Sequence, residues 1–223
     1  MRYESTIVKK PWGYEYLAYE NKNVALWFLH IKHTHSTSLH CHPKKTTGLV
    51  LLDGKAEVSF FNHTNKLSPG GKIMIRKGLF HSTKATDKNG ACVFEIEPPV
   101  DKQDLVRFRD SYGREGKPYE DSTHETPKVE DCLWIEDPSF GESKDYNFSN
   151  CTLTIKNVTS IDDFKEIDND KNVMFLSGGL QTDYGQNVSG YGDVVVASTI
   201  KQLIEVFNKL DKNTIIMIIK PNE

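Results

Sequence analysis

Three histidines in the first half of the chain have the spacing of a metal site. His40 and His42 stand two residues apart, so on a β-strand their side chains would project from the same face. Two imidazoles on one face can share a divalent metal ion at about 2.0–2.1 Å. His81, just after a turn at residues 77–78, is the candidate third ligand, because neighbouring strands could bring it to the pair. We therefore predict that His40, His42 and His81 bind zinc, iron, nickel or manganese.

The segments that must position these histidines have the pattern of short β-strands separated by turns. The candidate strands are either largely apolar or alternate polar and apolar residues. They cover residues 24–31, 48–52, 55–60, 72–76, 78–82 and 92–96. Asp53-Gly54 between two of them is a strong hairpin signal. Many short strands at this spacing, without an apolar stripe of helical period, predict a sandwich or barrel.

Composition and charge exclude some classes of function. The 223 residues include 28 basic and 31 acidic side chains, a formal net charge of −3. This near balance argues against a nucleic-acid binder, whose affinity needs a concentrated basic surface. The sequence has no apolar run of membrane-spanning length and no signal-peptide segment at its start. We therefore expect a cytoplasmic protein with no membrane partner, whose four cysteines are free thiols.

The rest of the chain differs from the strand-rich part, which we assign to residues 1–120. Residues 121–150 are predicted to be an irregular, acidic connection, and residues 151–223 a small α/β domain of unknown role. Three segments have the apolar character of buried strands: 173–176, 193–197 and 214–219. Between the last two, apolar residues fall on one face of a predicted helix over 199–210. This helix argues against a second barrel in the C-terminal part.

Three sequence blocks, at residues 10–15, 38–58 and 104–114, together resemble the cupin superfamily, and in particular the cupin domain of type II mannose-6-phosphate isomerases. Residues 10–15, KPWGYE, are similar to the RPWG motif of that family. Residues 38–58 align without gaps with its SLQYHHHRAEHW…SGTAEV block, and residues 104–114 are similar to its DIVRFEDDYGR segment. The resemblance covers about residues 9–116. It implies a mainly β chain with a cupin-type jelly-roll β-barrel, followed here by the smaller α/β element.

The metal motif departs from the family pattern at its carboxylate. The superfamily combines an HxH pair with a carboxylate and a later histidine. In the isomerase block, the glutamine before the first histidine of the metal region falls on His40, and the glutamate falls on Thr47. The sequence therefore predicts three histidines without a carboxylate. An isomerase that moves a proton between adjacent carbons needs a base. Thr47 cannot take that role, so the base stays unassigned.

The resemblance also suggests residues that contact a substrate. Arg114 falls on the arginine that ends the DYGR motif, and a guanidinium suits bidentate contact with phosphate, with a structural salt bridge as the alternative. Arg76 and Lys77 could add positive charge at the pocket mouth or form a solvated basic turn. Tyr112 could act as an acid or base near the metal, or pack as a structural aromatic. Thr47 is a further candidate substrate-binding residue.

These features lead to three hypotheses of function. In the first, the chain is a metal-dependent isomerase or epimerase of a phosphorylated or nucleotide-linked sugar, in surface polysaccharide biosynthesis. That substrate class comes from the resemblance, which also implies a homodimer. The second hypothesis is a three-histidine iron(II) dioxygenase. The third is a non-catalytic module that binds a sugar or a nucleotide.

Overall fold

The computed structural model describes residues 5–101, 103–113, 126–148 and 150–222. Its first half consists of short antiparallel strands. They are β1 (Ile7–Lys10), β2 (Gly13–Glu20), β3 (Ala25–Ile31), β4 (Leu39–Cys41), β5 (Thr47–Gly54), β6 (Ala56–Ser59), β7 (Thr64–Leu67), β8 (Lys72–Ile75), β9 (Ser82–Ala85), β10 (Ala91–Glu97) and β11 (Val106–Arg109). Most of the predicted strands are present, but β9 begins where the predicted segment 78–82 ends.

These strands form a jelly-roll barrel. Its large sheet has the order β1-β2-β3-β10-β5-β8, and the sheet β7-β6-β9 and the pair β11-β4 complete the wall. The interior is a buried apolar cluster that includes Trp27, Leu29, Leu49, Leu51 and Val93. The chain is therefore mainly β with a cupin-type barrel, as predicted.

The large sheet of this barrel is buried on both faces. Leu49 and Leu51 of β5 point into the barrel, whereas Val50 and Leu52 join a second apolar cluster on the outer side. Because side chains alternate along a strand, a strand that is buried on both faces must be apolar at every position. The outer face therefore needs a covering layer.

The C-terminal residues supply that layer. Their elements are β12 (Ser143–Phe148), β13 (Cys151–Asn157), α1 (Asp162–Lys165), β14 (Asn172–Ser177), β15 (Gly179–Gln181), β16 (Asn187–Gly190), β17 (Val194–Val196), α2 (Ala197–Ile204), β18 (Lys209–Leu210) and β19 (Ile215–Pro221). Leu153 and Met217 from these strands belong to the same buried cluster as Phe28, Val50 and Phe94 of the first barrel. The two halves thus share an apolar core.

The second half repeats the strand order of the first. In the large sheets β12-β13-β19-β14-β17 matches β2-β3-β10-β5-β8, and in the small sheets β16-β15-β18 matches β7-β6-β9. Helix α1 occupies the place of β4 in the chain order, and α2 is inserted between the counterparts of β8 and β9. The predicted C-terminal helix is therefore present, but it does not argue against a second barrel, because it leaves the strand order unchanged.

Two C-terminal boundaries differ from prediction. The predicted helix over 199–210 ends at Ile204, and Leu210 instead lies in β18, where it pairs with Leu180 of β15. The predicted irregular connection contains a short 3₁₀ helix, Val129–Asp131, and the strand β12. In β12 every second residue is exposed, which explains its irregular, polar appearance in the sequence. Among the described residues, no helix has the length and apolar character needed to cross a bilayer.

Candidate metal centre

Backbone pairing brings the three predicted histidines together. His40 lies in β4 and His42 follows that strand, whereas His81 immediately precedes β9. The backbone groups of His40 and His81 form two hydrogen bonds, with N···O distances of 3.0 and 2.8 Å. The three imidazole centroids are 4.5 to 5.6 Å apart, and all three residues are buried. The structure thus places the predicted ligands in one cluster.

Each imidazole is oriented by a backbone carbonyl. The three Nδ1–H groups donate as follows: His40 to Ser38 at 2.8 Å, His42 to Asp104 at 2.6 Å, and His81 to Leu79 at 3.0 Å. Because a carbonyl oxygen can only accept, Nδ1 carries the proton and Nε2 keeps its lone pair. Metal-binding histidines are usually held in this way. The three Nε2 atoms therefore have the protonation state that coordination requires.

Burial keeps these imidazoles neutral. It lowers the pKa of His40 well below the usual value, and the neighbouring His81 and His42 act in the same direction. Burial also lowers the pKa of His42, and it lowers the pKa of His81 to about 4. Each ring is uncharged at neutral pH and can offer its lone pair to a cation.

A carboxylate completes the cluster from another strand. Ligand atoms of Glu95 and the three histidines all lie within 4.8 Å of one another. Glu95 belongs to β10, where it pairs with Leu49 of β5, and it lines the same cavity as the histidines. The expectation of three histidines without a carboxylate is therefore corrected. The family alignment puts the carboxylate position at Thr47 on β5, whereas the adjacent strand β10 supplies the carboxylate.

The sequence pattern does not predict Glu95, because residues 92–96 have the character of an apolar strand. The available signal was a glutamate at an inward position of the otherwise apolar segment 92–96. Carboxylates are seldom buried unless they are paired or bind a metal. Glu97, two residues further along, lines the same cavity and is buried, whereas Glu95 is half-buried.

Two buried ion pairs line the same cavity. Nζ of Lys45 is 2.8 Å from Oε1 of Glu97, and this oxygen is 3.4 Å from Nε2 of His42. Nζ of Lys10 is 4.0 Å from Oε1 of Glu15. Removing charges from water costs several kcal/mol per ion before pairing compensates. Such groups around a cavity therefore mark a candidate functional site.

Asp104 holds the loop that connects His42 to Lys45. Its carboxylate Oδ2 accepts hydrogen bonds from the backbone N–H groups of Lys44 and Lys45, at 2.8 and 3.0 Å. Its carbonyl accepts the Nδ1–H of His42. One buried residue thus orients a candidate metal ligand and the loop carrying the buried lysine.

The cavity itself is small. Its volume is about 70 Å³, and Trp12, Leu49 and Leu105 add apolar surface to the charged lining. Arg107 of β11, which pairs in register with His40, is a third basic residue of the lining. One water molecule needs about 10–15 Å³ of such cavity volume. The cavity therefore has room for a metal ion and a few ligand atoms, and a sugar-sized molecule would extend into the opening.

Three predicted substrate-binding residues do not line this cavity. Arg76 and Lys77 are exposed in the turn after β8. This position fits the second interpretation of these residues, a solvated basic turn. The buried position at the end of that strand is Ile75, so the next side chain points away from the interior. Thr47 is buried in β5 but is not part of the lining.

The remaining predicted residues are Tyr112 and Arg114. The hydroxyl of Tyr112 accepts a hydrogen bond from the backbone N–H of Ser36 at 3.4 Å, and its ring stacks against His35. Tyr112 is not part of the cavity lining, so its contacts fit the structural alternative. Arg114 lies outside the described residues.

Comparisons with known proteins found solved structures of low sequence identity. No family model and no curated protein matches the sequence. KdgF from Halomonas sp. is similar with 15% identity and a TM-score of 0.39, over 41% of this chain and 84% of that one. A protein with a double-stranded β-helix domain from Klebsiella pneumoniae has 13% identity and a TM-score of 0.40, over 43% and 84%. A cupin-2 domain protein from Shewanella frigidimarina has 18% identity and a TM-score of 0.34, over 38% and 78%.

Proposed function

We propose that this chain is a metal-dependent cupin enzyme that isomerises or epimerises a phosphorylated or nucleotide-linked sugar. The observation that carries the proposal is the convergence of three buried, neutral imidazoles on one carboxylate, with each Nδ1 fixed by a carbonyl. The substrate class comes from the sequence resemblance to type II mannose-6-phosphate isomerases.

The donor set fits a divalent transition metal. Imidazole nitrogen and carboxylate oxygen suit zinc, iron, nickel and manganese. With metal–ligand bonds of about 2.0–2.2 Å, two donors on opposite sides of an ion lie at most about 4.4 Å apart. The observed limit of 4.8 Å is close to that value, so His40, His42, His81 and Glu95 would hold the ion after a small contraction.

The cavity also offers the groups that proton transfer needs. A bound ion would supply Lewis-acid polarisation of a substrate carbonyl or hydroxyl oxygen. Glu15 and Glu97 are carboxylates of the lining, and either is a candidate for the base that Thr47 cannot provide. Lys45 holds the carboxylate of Glu97 in place through the 2.8 Å ion pair.

The iron(II) dioxygenase hypothesis needs a corrected ligand set, and histidines with one carboxylate are also compatible with iron(II). It assumed a ligand set of three histidines with no carboxylate, whereas Glu95 lies within the cluster. The non-catalytic hypothesis remains the main alternative, because a binding module could use the same cavity without turnover.

Metal content measured by plasma mass spectrometry tests the proposal. The wild-type chain should retain about one transition-metal ion per chain, and the variant His40→Ala/His42→Ala should lose it. The matched control is His33→Ala/His35→Ala, which removes two histidines with the same spacing from the loop before β4. Glu95→Gln should retain the fold but bind the metal about 10- to 100-fold more weakly.

Activity then separates an enzyme from a binding module. Metal-loaded protein should interconvert hexose phosphates such as mannose 6-phosphate and fructose 6-phosphate, or epimerise a nucleotide sugar. A chelator should abolish this turnover. An absence of metal after reconstitution, or metal that is bound equally by the double variant, would contradict the metal centre. Metal binding and ligand-induced stabilisation without turnover would favour the binding module.

A further inference from the structure

The KPWGYE segment, residues 10–15, forms one wall of the candidate metal centre. It spans the end of β1, the following turn and the start of β2. Lys10, Trp12 and Glu15 all line the cavity, and all three are buried. The metal cluster uses none of them. They form a distinct part of the lining, which we call the hairpin subsite.

Gly13 allows the hairpin to lie this close to the barrel. Its φ is +150°, a conformation that L side chains rarely adopt. A Cβ atom at this position would overlap the carbonyl oxygen of His30 in β3. The glycine therefore lets the turn pack against β3, with Trp12 in the interior cluster.

The three side chains of the hairpin subsite offer complementary kinds of contact. Lys10 donates hydrogen bonds, Glu15 accepts them, and the indole of Trp12 provides a flat apolar surface. Nζ of Lys10 and Oε1 of Glu15 are 4.0 Å apart, so a donor and an acceptor lie side by side in the lining. Hydroxyl groups can accept from an ammonium and donate to a carboxylate, so neighbouring hydroxyls on one molecule could contact both side chains.

An anion fits the hairpin subsite poorly. A phosphate placed there would lie beside the carboxylate of Glu15, and like charges repel strongly where water is excluded. The indole of Trp12 likewise matches the C–H face of a sugar ring better than a phosphate. A ligand with a neutral hydroxylated part and an anionic part would therefore place its neutral part here.

We propose that Lys10, Trp12 and Glu15 bind the neutral, hydroxyl-bearing part of the sugar substrate while its charged group lies toward the opening of the cavity. This inference rests on the proposed function for the choice of a sugar ligand. It adds which part of the ligand enters first and which residues select it.

Binding of neutral sugars provides the test. D-Mannose, D-fructose and inorganic phosphate are titrated into the full chain, with and without reconstituted metal, and binding is followed by protein NMR. We expect a neutral sugar to bind in at least one of the two forms. Glu15→Gln should weaken that binding about 10-fold or more, since a hydrogen bond to a charged group is lost. Trp12→Phe should weaken it as well.

Control variants separate recognition from folding. Glu20→Gln removes the same charge from an exposed position of the same strand and should leave sugar binding unchanged. Lys10→Gln/Glu15→Gln removes both charges together, so that neither charge of the pair is left buried without the other. Metal content and thermal unfolding are measured for every variant. The double variant should keep the metal and the fold but lose sugar binding.

The outcomes distinguish this inference from the proposed function. Sugar binding that survives in both Glu15→Gln and the double variant would overturn the hairpin subsite, even with the metal in place. So would an absence of neutral-sugar binding in both forms of the wild type. Loss of metal with sugar binding still dependent on Glu15 would overturn the metal centre and leave the hairpin subsite supported.

Discussion

Lys45 and Glu97 form a 2.8 Å ion pair inside the first barrel, where Lys45 is 1% and Glu97 is 3% exposed. The same carboxylate oxygen lies 3.4 Å from Nε2 of His42. The ion pair is thus connected to the candidate metal cluster. A buried pair of this kind depends on both partners, because either charge alone would be isolated from water.

Removing one partner of this pair should destabilise the fold. Glu97→Gln would leave the buried Lys45 without this counter-charge and should lower the free energy of unfolding by about 3 kcal/mol. Lys45→Met/Glu97→Gln should lose less than the sum of the two single variants, because no lone charge remains. Urea denaturation at neutral pH measures all of these values. The exposed Glu142→Gln serves as control, and equal stability of Glu97→Gln and wild type would contradict the prediction.

Gly13→Ala should destabilise the fold more than the usual replacement of a glycine that has a positive φ. The added Cβ would overlap the backbone carbonyl of His30, so β3 or the turn must move. We expect a loss of at least about 2 kcal/mol of folding free energy, with altered tryptophan fluorescence from Trp12.

Gly185→Ala is the matched control for this substitution. Gly185 also has a positive φ, of +77°, but a Cβ there would meet no atom within 4 Å. Its loss should be about 1 kcal/mol, from the backbone conformation alone. Similar losses for the two variants would show that close packing of the hairpin is not required.

Asp163 should make a pH-dependent contribution to stability in the second half. Partial burial alone would raise its pKa, but hydrogen bonds from Lys156, Thr159 and Ser160 outweigh that effect and lower the pKa to about 2. The ionised form is therefore favoured by folding. Its contribution is present above about pH 4 and is lost as the pH falls through about 2.

Asp163→Asn tests this contribution. The variant should lose about 1 kcal/mol at pH 7, a modest value because the site is partly exposed to solvent. The difference from wild type should shrink between pH 4 and pH 2, as chemical denaturation at several pH values would measure. Asp162→Asn, the exposed neighbour, should show a smaller effect. A difference that grows on acidification would contradict the assignment.

Local patterns in the sequence predicted much of the first barrel and part of its site. Alternation along a strand placed His40 and His42 on one face, and the apolar run in β5 marked a buried strand. The helix α2 was also predicted, because its apolar positions repeat with the helical period. These features depend on neighbours within a few residues, so the sequence by itself determined them.

The tertiary structure decided which distant residues meet. Glu95 joins the histidines only because β10 pairs with β5 in a particular register and turns this side chain inward. Lys45 and Glu97 are 52 positions apart in the chain and have no local pattern that relates them. Likewise, the second barrel follows from the order of strand pairing, which apolar periodicity does not specify. Contacts of this kind depend on how strands pair across the whole fold, and that pairing is cooperative rather than local.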